Sequence, residues 1–212
     1  MRKITRGYIY AFLEKYKTEE KVLDIGSSKG DHLEYFPNRV SLDIDPARNP
    51  EIVGDAEKLP FEDSSFGVIV CSEVFEHIPD THQAVREMKR VLRPGGLLVL
   101  TTRFAFPVHD SPGDFWRFTP YGLQKMFDGW DIIEVATETN SFETIAVLLQ
   151  RIMFQSKLKG GKVTKAFLWA LASFIQRLSF LTIEEYGDIK RTHVVKNLVS
   201  SGVYIAARNN KT

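Results

Sequence analysis

The chain has 212 residues, of which 43% are hydrophobic and 26% charged, with a formal net charge of +1. That balance excludes extended disorder and gives no ground to expect nucleic acid as a partner, since a nucleic-acid binder carries a basic excess. The single cysteine, Cys71, excludes an internal disulfide and a cysteine-cluster metal site.

Taken in chain order, the apolar residues Ile4, Tyr8, Ile9, Phe12 and Leu13 recur at helical spacing, which predicts an amphipathic helix over 4–16. Met1-Arg2-Lys3-Ile4 opens no long apolar run, so no signal peptide is expected and a cytoplasmic protein is the default reading. Val22–Ile25 then reads as a strand, Asp31–Phe36 as a helix stopped by Pro37, and Arg39–Leu42 as a second strand. Phe66–Cys71 reads as a further buried strand, with Cys71 a small core residue within it. Thr81–Leu92 is a helix with Ala84, Val85, Met88, Val91 and Leu92 on one face. Pro94-Gly95-Gly96 reads as a turn and Leu97–Thr101 as another buried strand. Thr119-Pro120 is a helix start, with Thr as N-cap and Pro at the first helical position. Trp130–Glu138 and Gly202–Arg208 supply the last strands. Strands alternating with helices predict an α/β fold with a mostly parallel sheet covered on both faces.

Residues 140–200 break this rhythm. Two helical stretches, Phe142–Lys157 and Val163–Leu181, flank Gly160-Gly161. No acidic residue occurs from Thr144 to Ile183, whereas Arg151, Lys157, Lys159, Lys162, Lys165 and Arg177 do. The run Ala166–Ile175 is apolar nearly all round but too short to span a membrane. Two readings of 144–183 stay open: a basic amphipathic surface for peripheral membrane contact, or apolar residues packed on the domain or in a homodimer.

The segment with the most chemical content is Val22-Leu23-Asp24-Ile25-Gly26-Ser27-Ser28-Lys29-Gly30, an apolar run that ends in Asp-x-Gly and enters a tight loop. Asp43 closes the next apolar run, one β-α-β unit later, where a carboxylate can hold a ribose. As a dinucleotide fingerprint the loop fails, because Ser28 and Asp31 occupy the second and third glycine positions. As G-x-G-x-G it matches at Gly26 and Gly30, with Ser28 in the middle. In this form the chain resembles the class I S-adenosylmethionine-dependent methyltransferases, and the resemblance runs from about Lys21 to Arg103. It includes Asp43, the adenine-packing segment Gly54-Asp55-Ala56-Glu57, the strand and loop Phe66–His77, and the turn Arg93-Pro94-Gly95-Gly96.

The resemblance implies a Rossmann-like seven-stranded sheet with a reversed last strand, and a helical insertion at 140–200 between strands six and seven that acts as a substrate lid. It implies S-adenosylmethionine as cofactor and S-adenosylhomocysteine as product. Asp24, Gly26, Ser28, Gly30, Asp43, Asp55, Ala56 and Ser72 would bind the cofactor. Asp55 would accept from the adenine amine and the Ala56 amide would donate to the ring. His77, just beyond strand four, is either a general base or part of a helix cap. In His109-Asp110-Ser111-Pro112-Gly113-Asp114-Phe115-Trp116-Arg117, the residues His109, Asp114 and Arg117 either face the acceptor, or Asp114 and Arg117 pair to fix the loop. His32, His82 and His193 show no ligand spacing, so no metal is expected. The acceptor is read as a small or lipid-like molecule. A non-catalytic S-adenosylmethionine-binding protein and a protein or RNA methyltransferase stay open as alternatives.

Overall fold

A computed structural model describes residues 4–26 and 34–210. The strands are β1 (Val22–Ile25), β2 (Arg39–Asp43), β3 (Ile52–Val53), β4 (Phe66–Ser72), β5 (Leu92–Arg103), β6 (Asp131–Thr137), β7 (Glu185–Tyr186), β8 (Val194–Val195) and β9 (Gly202–Arg208). Seven of them form one sheet in the order β3-β2-β1-β4-β5-β9-β6. β9 runs antiparallel to both β5 and β6, and the remaining pairs are parallel. The expected α/β sheet with one reversed strand is therefore present.

Side-chain alternation along the central strands feeds two cores, one on each face. Leu23, Ile25, Ile69, Cys71, Leu98, Leu100 and Ile205 belong to one face. Val22, Val68, Val70, Val99, Tyr204 and Ala206 belong to the other. The first face is covered by α2 (Thr81–Val91) and α3 (Pro120–Met126), which contribute Val85, Met88 and Leu123. The second is covered by α1 (Ile4–Glu14), through Ile9, Phe12 and Leu13. The caps follow from the sequence: Thr119 Oγ1 accepts from the Gly122 amide at 3.0 Å, and Pro120 opens α3. Asp80 caps α2 by accepting from the Gln83 amide at 2.9 Å.

The structure differs from the sequence reading in three places. β5 begins at Leu92, so Pro94-Gly95-Gly96 lies within an irregular strand rather than in a turn before it. The register against β4 shifts between Phe66 and Val68, and Gly95 has φ +71. β3, an edge strand of two residues, and the small β7–β8 hairpin were not anticipated. Half of the helix expected over Asp31–Phe36, residues 31–33, lies outside those described, and Glu34 and Tyr35 form a 3-10 turn.

Residues 140–200 contain α4 (Ser141–Gln155), α5 (Gly161–Arg177) and the β7–β8 hairpin. A reciprocal capping box starts α4: the Glu143 amide donates to Asn140 Oδ1 at 2.9 Å, and the Asn140 amide donates to Glu143 Oε2 at 3.2 Å. α4 is seated by Ala146, Val147 and Met153. α5 buries only Ala172, and Phe167, Trp169 and Phe174 are exposed. Leu168, Leu171 and Ile175 are half-buried where α5 packs on α4, so one side of the helix covers its own chain and the side carrying Phe167, Trp169 and Phe174 is left exposed. No helix among the described residues is long and apolar enough to cross a membrane.

Candidate active site

A cleft of about 310 Å³ opens at the carboxyl ends of β1, β2 and β4. In an open α/β sheet this edge, where the strand order reverses, is where ligands bind. Gly26, Asp43, Asp55, Ala56, Val74 and His77 all line it.

Gly26 is required by geometry. Its φ is +72, and a Cβ there would stand 2.0 Å from Val74 Cγ2. The chain therefore turns out of β1 with bare backbone against the cleft wall, and the Gly26 amide donates to the Leu42 carbonyl at 2.7 Å. Asp43 is buried at the end of β2. Its Oδ1 accepts from the Asp45 amide at 2.9 Å, while the buried Oδ2 accepts no hydrogen bond and has Arg48 Nη1 at 3.7 Å. A buried carboxylate oxygen left open toward a cleft suits a hydroxyl donor from a ligand. Asp55 Oδ1 accepts from the Glu57 amide at 2.8 Å, which fixes the turn carrying the buried Ala56. These residues fit a nucleoside: an acidic acceptor at β2, a bare backbone at β1 and a shaped turn between them.

The other cofactor candidates lie elsewhere. Asp24 is buried inside β1, with Arg39 Nε at 3.9 Å from Oδ2, and does not line the cleft. Ser72 ends β4 and shares a hydrogen bond of 2.9 Å with Thr101 on β5. Ser28 and Gly30 lie outside the described residues.

Beyond β4 the chain makes a strained turn, with Glu73 at φ +60, and then one 3-10 turn over Phe75–His77. This turn holds the loop that follows β5. The amides of Phe115 and Trp116 donate to the Glu76 carbonyl at 3.0 and 3.1 Å, and Trp116 Nε1 donates to the Ile78 carbonyl at 2.9 Å. Asp114 and Arg117 pair through two contacts of 2.6 and 2.7 Å. Arg117 also donates to the carbonyls of Phe106 and Pro107 at 2.9 and 3.0 Å. Hydrogen bonding to Arg117 keeps the Asp114 carboxyl well below its ordinary pKa. These contacts describe a pair that fixes the loop.

The fixed loop brings His109 against His77, with Nε2 atoms 3.2 Å apart. The two residues are 32 positions apart in sequence, so no local spacing pointed to the pair. Burial lowers the His109 pKa to about 4, against the pull of the Asp114 carboxylate, so this imidazole is neutral near pH 7. Glu76 lies beneath both rings and is wholly buried, and burial raises its pKa. No local sequence pattern marks Glu76, whose burial comes from the loop packed over it.

A second buried charge group stands beside the site. Arg103, at the end of β5, bridges Glu73 and Glu138, with Glu138 Oε2 at 3.0 Å. Tyr204 donates to Glu138 Oε1 at 2.7 Å, and Ser201 donates to Oε2. α4 reaches the same region: Arg151 stacks 4.8 Å from the Phe106 ring centre, and Gln155 Nε2 donates to the Val108 carbonyl at 2.8 Å.

Residues 23–100 match a family model described as a methyltransferase domain. The ubiquinone/menaquinone biosynthesis C-methyltransferase UbiE of Idiomarina loihiensis is 32% identical over 163 residues, covering 66% of this chain and 62% of that protein. The demethylmenaquinone methyltransferase of Staphylococcus haemolyticus is 36% identical over 80 residues, covering 38% of this chain and 28% of its own length. The chain thus spans less than two thirds of these curated relatives. Among solved structures, the YcgJ protein of Bacillus subtilis aligns with a TM-score of 0.58 at 19% identity, covering 98% of this chain and 100% of its own. Haemonchus contortus phosphoethanolamine N-methyltransferase 2, in complex with S-adenosyl-L-methionine, aligns with a TM-score of 0.56 at 18% identity, covering 97% of this chain and 53% of its own. At these identities the structural matches show a shared fold.

Proposed function

We propose that this chain, which belongs to the class I S-adenosylmethionine-dependent methyltransferases through the domain at residues 23–100, methylates a lipid-like acceptor of quinone type. The observation that carries the reading is the cleft at the ends of β1 and β2, with Gly26 and the open Oδ2 of Asp43 on its wall. S-adenosylmethionine, when bound, supplies a methyl carbon made electrophilic by its sulfonium.

The chain's own residues bind and orient. Asp43 accepts from the ribose hydroxyls. Asp55 accepts from the adenine amine, and the Ala56 amide donates to the ring. Gly26 lets the amino-acid end lie against backbone; the family resemblance assigns Ser28 and Gly30 to the same end of the cofactor, and Asp24 and Ser72 to the strand ends beside it. Fixing donor and acceptor in line removes several kcal/mol of the barrier. His77 lines the cleft, with its Nδ1 engaged by the Gly113 carbonyl at 2.6 Å and its Nε2 meeting His109 Nε2 at 3.2 Å. We read this imidazole pair as the group that takes a proton from the acceptor. His109, Asp114 and Arg117 shape the acceptor side, Asp114 and Arg117 by holding the loop.

The lipid-like acceptor rests on residues 140–200. α4 touches the loop carrying His109, and α5 presents Phe167 and Phe174, 65% and 59% exposed, within an acid-free basic segment. We read the insertion as a lid whose outer surface rests on an anionic membrane. The relatives named for ubiquinone and menaquinone biosynthesis support the same acceptor class.

Calorimetric titration with S-adenosylmethionine and S-adenosylhomocysteine tests the donor. Binding is expected to weaken roughly 10- to 100-fold in Asp43→Ala, the loss of one or two hydrogen bonds to a charged group; folded protein that binds neither compound would defeat the proposal. Flotation with phosphatidylglycerol vesicles tests the surface. Retention that Lys157→Glu and Lys165→Glu abolish supports it. Dimerisation through α5 without vesicle binding replaces it.

A further inference from the structure

We infer that Glu76, His77 and His109 form a site for a divalent first-row transition-metal ion at the wall of the cleft. Three ligand atoms face one space. His77 Nε2 and His109 Nε2 are 3.2 Å apart, and Glu76 Oε1 lies 3.9 Å from the first and 3.8 Å from the second. A point equidistant from all three is about 2.1 Å from each, by the geometry of that triangle. Bonds from such ions to imidazole nitrogen and carboxylate oxygen measure about 2.0–2.2 Å.

The partners around the cluster decide which atoms are free to coordinate. His77 Nδ1 is 2.6 Å from the Gly113 carbonyl, which can only accept, so the proton sits on Nδ1 and Nε2 keeps its lone pair. His109 Nδ1 is 3.2 Å from Asp114 Oδ2, itself bonded to Arg117, although no hydrogen bond is formed at Nδ1. With the proton on His109 Nδ1, drawn there by the carboxylate, two imidazole lone pairs confront each other across 3.2 Å. A metal-bound histidine characteristically directs its outer N–H to a carbonyl or a carboxylate; His77 has the Gly113 carbonyl, and His109 has the Asp114 carboxylate alongside.

Glu76 supplies the third ligand and the strongest argument. Its side chain is wholly buried, and Thr102 Oγ1 donates to Oε2 at 2.8 Å. Oε1 is buried, accepts no hydrogen bond, and points at the two bare nitrogens. A proton shared between the rings would relieve their lone pairs but would leave Oε1 at 3.8 Å or more from either ring nitrogen. A cation satisfies all three atoms together. Two nitrogens and one oxygen suit zinc, iron(II), manganese or cobalt better than magnesium or calcium, which favour all-oxygen sets.

The two histidine side chains are 21% and 17% exposed, which leaves an entry path and room for further ligands. The class of molecule that could fill those positions is one with a hydroxyl or carbonyl oxygen. With the ion in place His77 Nε2 is a ligand, and an acceptor hydroxyl bound to the ion would release its proton to water.

The test needs no methyl donor, so its outcome is separate from that of cofactor binding. Chelator-stripped protein is titrated with Co²⁺, followed by visible absorption, and with Zn²⁺, followed by calorimetry. One ion per chain is expected, at micromolar affinity or tighter. His77→Ala and His109→Ala should each weaken binding at least about 100-fold, and Asp114→Asn about 10-fold through the second layer of contacts. His193→Ala, at an exposed histidine beside Asp188, should change nothing. Circular dichroism verifies folding; if Glu76→Gln fails to fold, the two histidine variants still decide. Absence of saturable binding in the folded wild type, or binding that survives in both histidine variants, overturns the inference.

Discussion

Gly26→Ala places a methyl group where Val74 already stands. The added Cβ would lie 2.0 Å from Val74 Cγ2, with φ at +72. Carbon atoms pack at about 3.5–4.0 Å, so one side must retreat by roughly 1.5 Å. Overpacking of this kind costs about 1–3 kcal/mol. Holding an L-residue in the left-handed region adds about 1–2 kcal/mol. Val74 is only half-buried and can yield in part, so the sum falls at about 3 kcal/mol. For a chain of this size that lowers Tm by about 6–12 °C. Urea unfolding of wild type, Gly26→Ala, Val74→Ala and the double variant separates the two contributions. Val74→Ala in the Gly26→Ala background should restore the overpacking share, a coupling of about 1–2 kcal/mol, and leave the backbone share. Gly26→Ala within about 0.5 kcal/mol of wild type would refute the reasoning. So would a double variant that gains nothing over Gly26→Ala.

Three further outcomes are expected. Glu138→Ala strands the Arg103 guanidinium on its buried side and should destabilise the fold by about 3–5 kcal/mol, measured by urea unfolding. Glu87 accepts from the Leu59 amide at 2.9 Å and from Arg90 at 2.8 Å, and hydrogen bonding to Arg90 holds its folded pKa below the ordinary value. The folded state then binds fewer protons than the unfolded one, so this contribution is full above about pH 4.5 and is lost as pH falls further. Glu87→Gln should flatten the acid limb of a stability-against-pH curve, and an unchanged limb would count against the pairing. Phe167→Ser with Phe174→Ser alters exposed side chains only, so Tm should hold within about 2 °C while vesicle retention falls.

The sheet could be read from sequence because its strands are buried runs bounded by strong turn chemistry. Val22–Ile25 and Phe66–Cys71 match β1 and β4 almost to the residue. Thr119-Pro120 marked α3 because an N-cap side chain acts on its own turn. β3 was invisible because Ile52–Val53 is too short to show a period and is held by its pairing to β2 and by Ile52 packing on the core. Pro94-Gly95-Gly96 keeps its turn preference in isolation; here Leu92 pairs with Phe66 of β4, and the Asn209 backbone, just beyond β9, holds the stretch by accepting from the Gly95 amide at 2.8 Å and donating to the Gly96 carbonyl at 2.9 Å.

At the candidate site, Asp43 was visible as the end of an apolar run and Asp55 and Ala56 through the family resemblance of their segment, and the cleft contains all three. The meeting of His77 and His109 depends on where β5 places its following loop, and no local pattern encodes that. The exposure of α5 was hidden for a related reason. A run apolar on every side does not say which side will find a neighbour.

β9 is the last strand in the chain, yet it lies between β5 and β6. During synthesis, residues 92–103 emerge long before their partner at 202–208. The nascent chain therefore carries one edge of a core strand unpaired while about a hundred further residues are added. Such an edge is a template for pairing with other chains. A chain cut before Gly202 loses a strand from the interior of the sheet rather than from its margin. The exposed apolar side chains of α5 emerge within that same interval, alongside the unpaired edge.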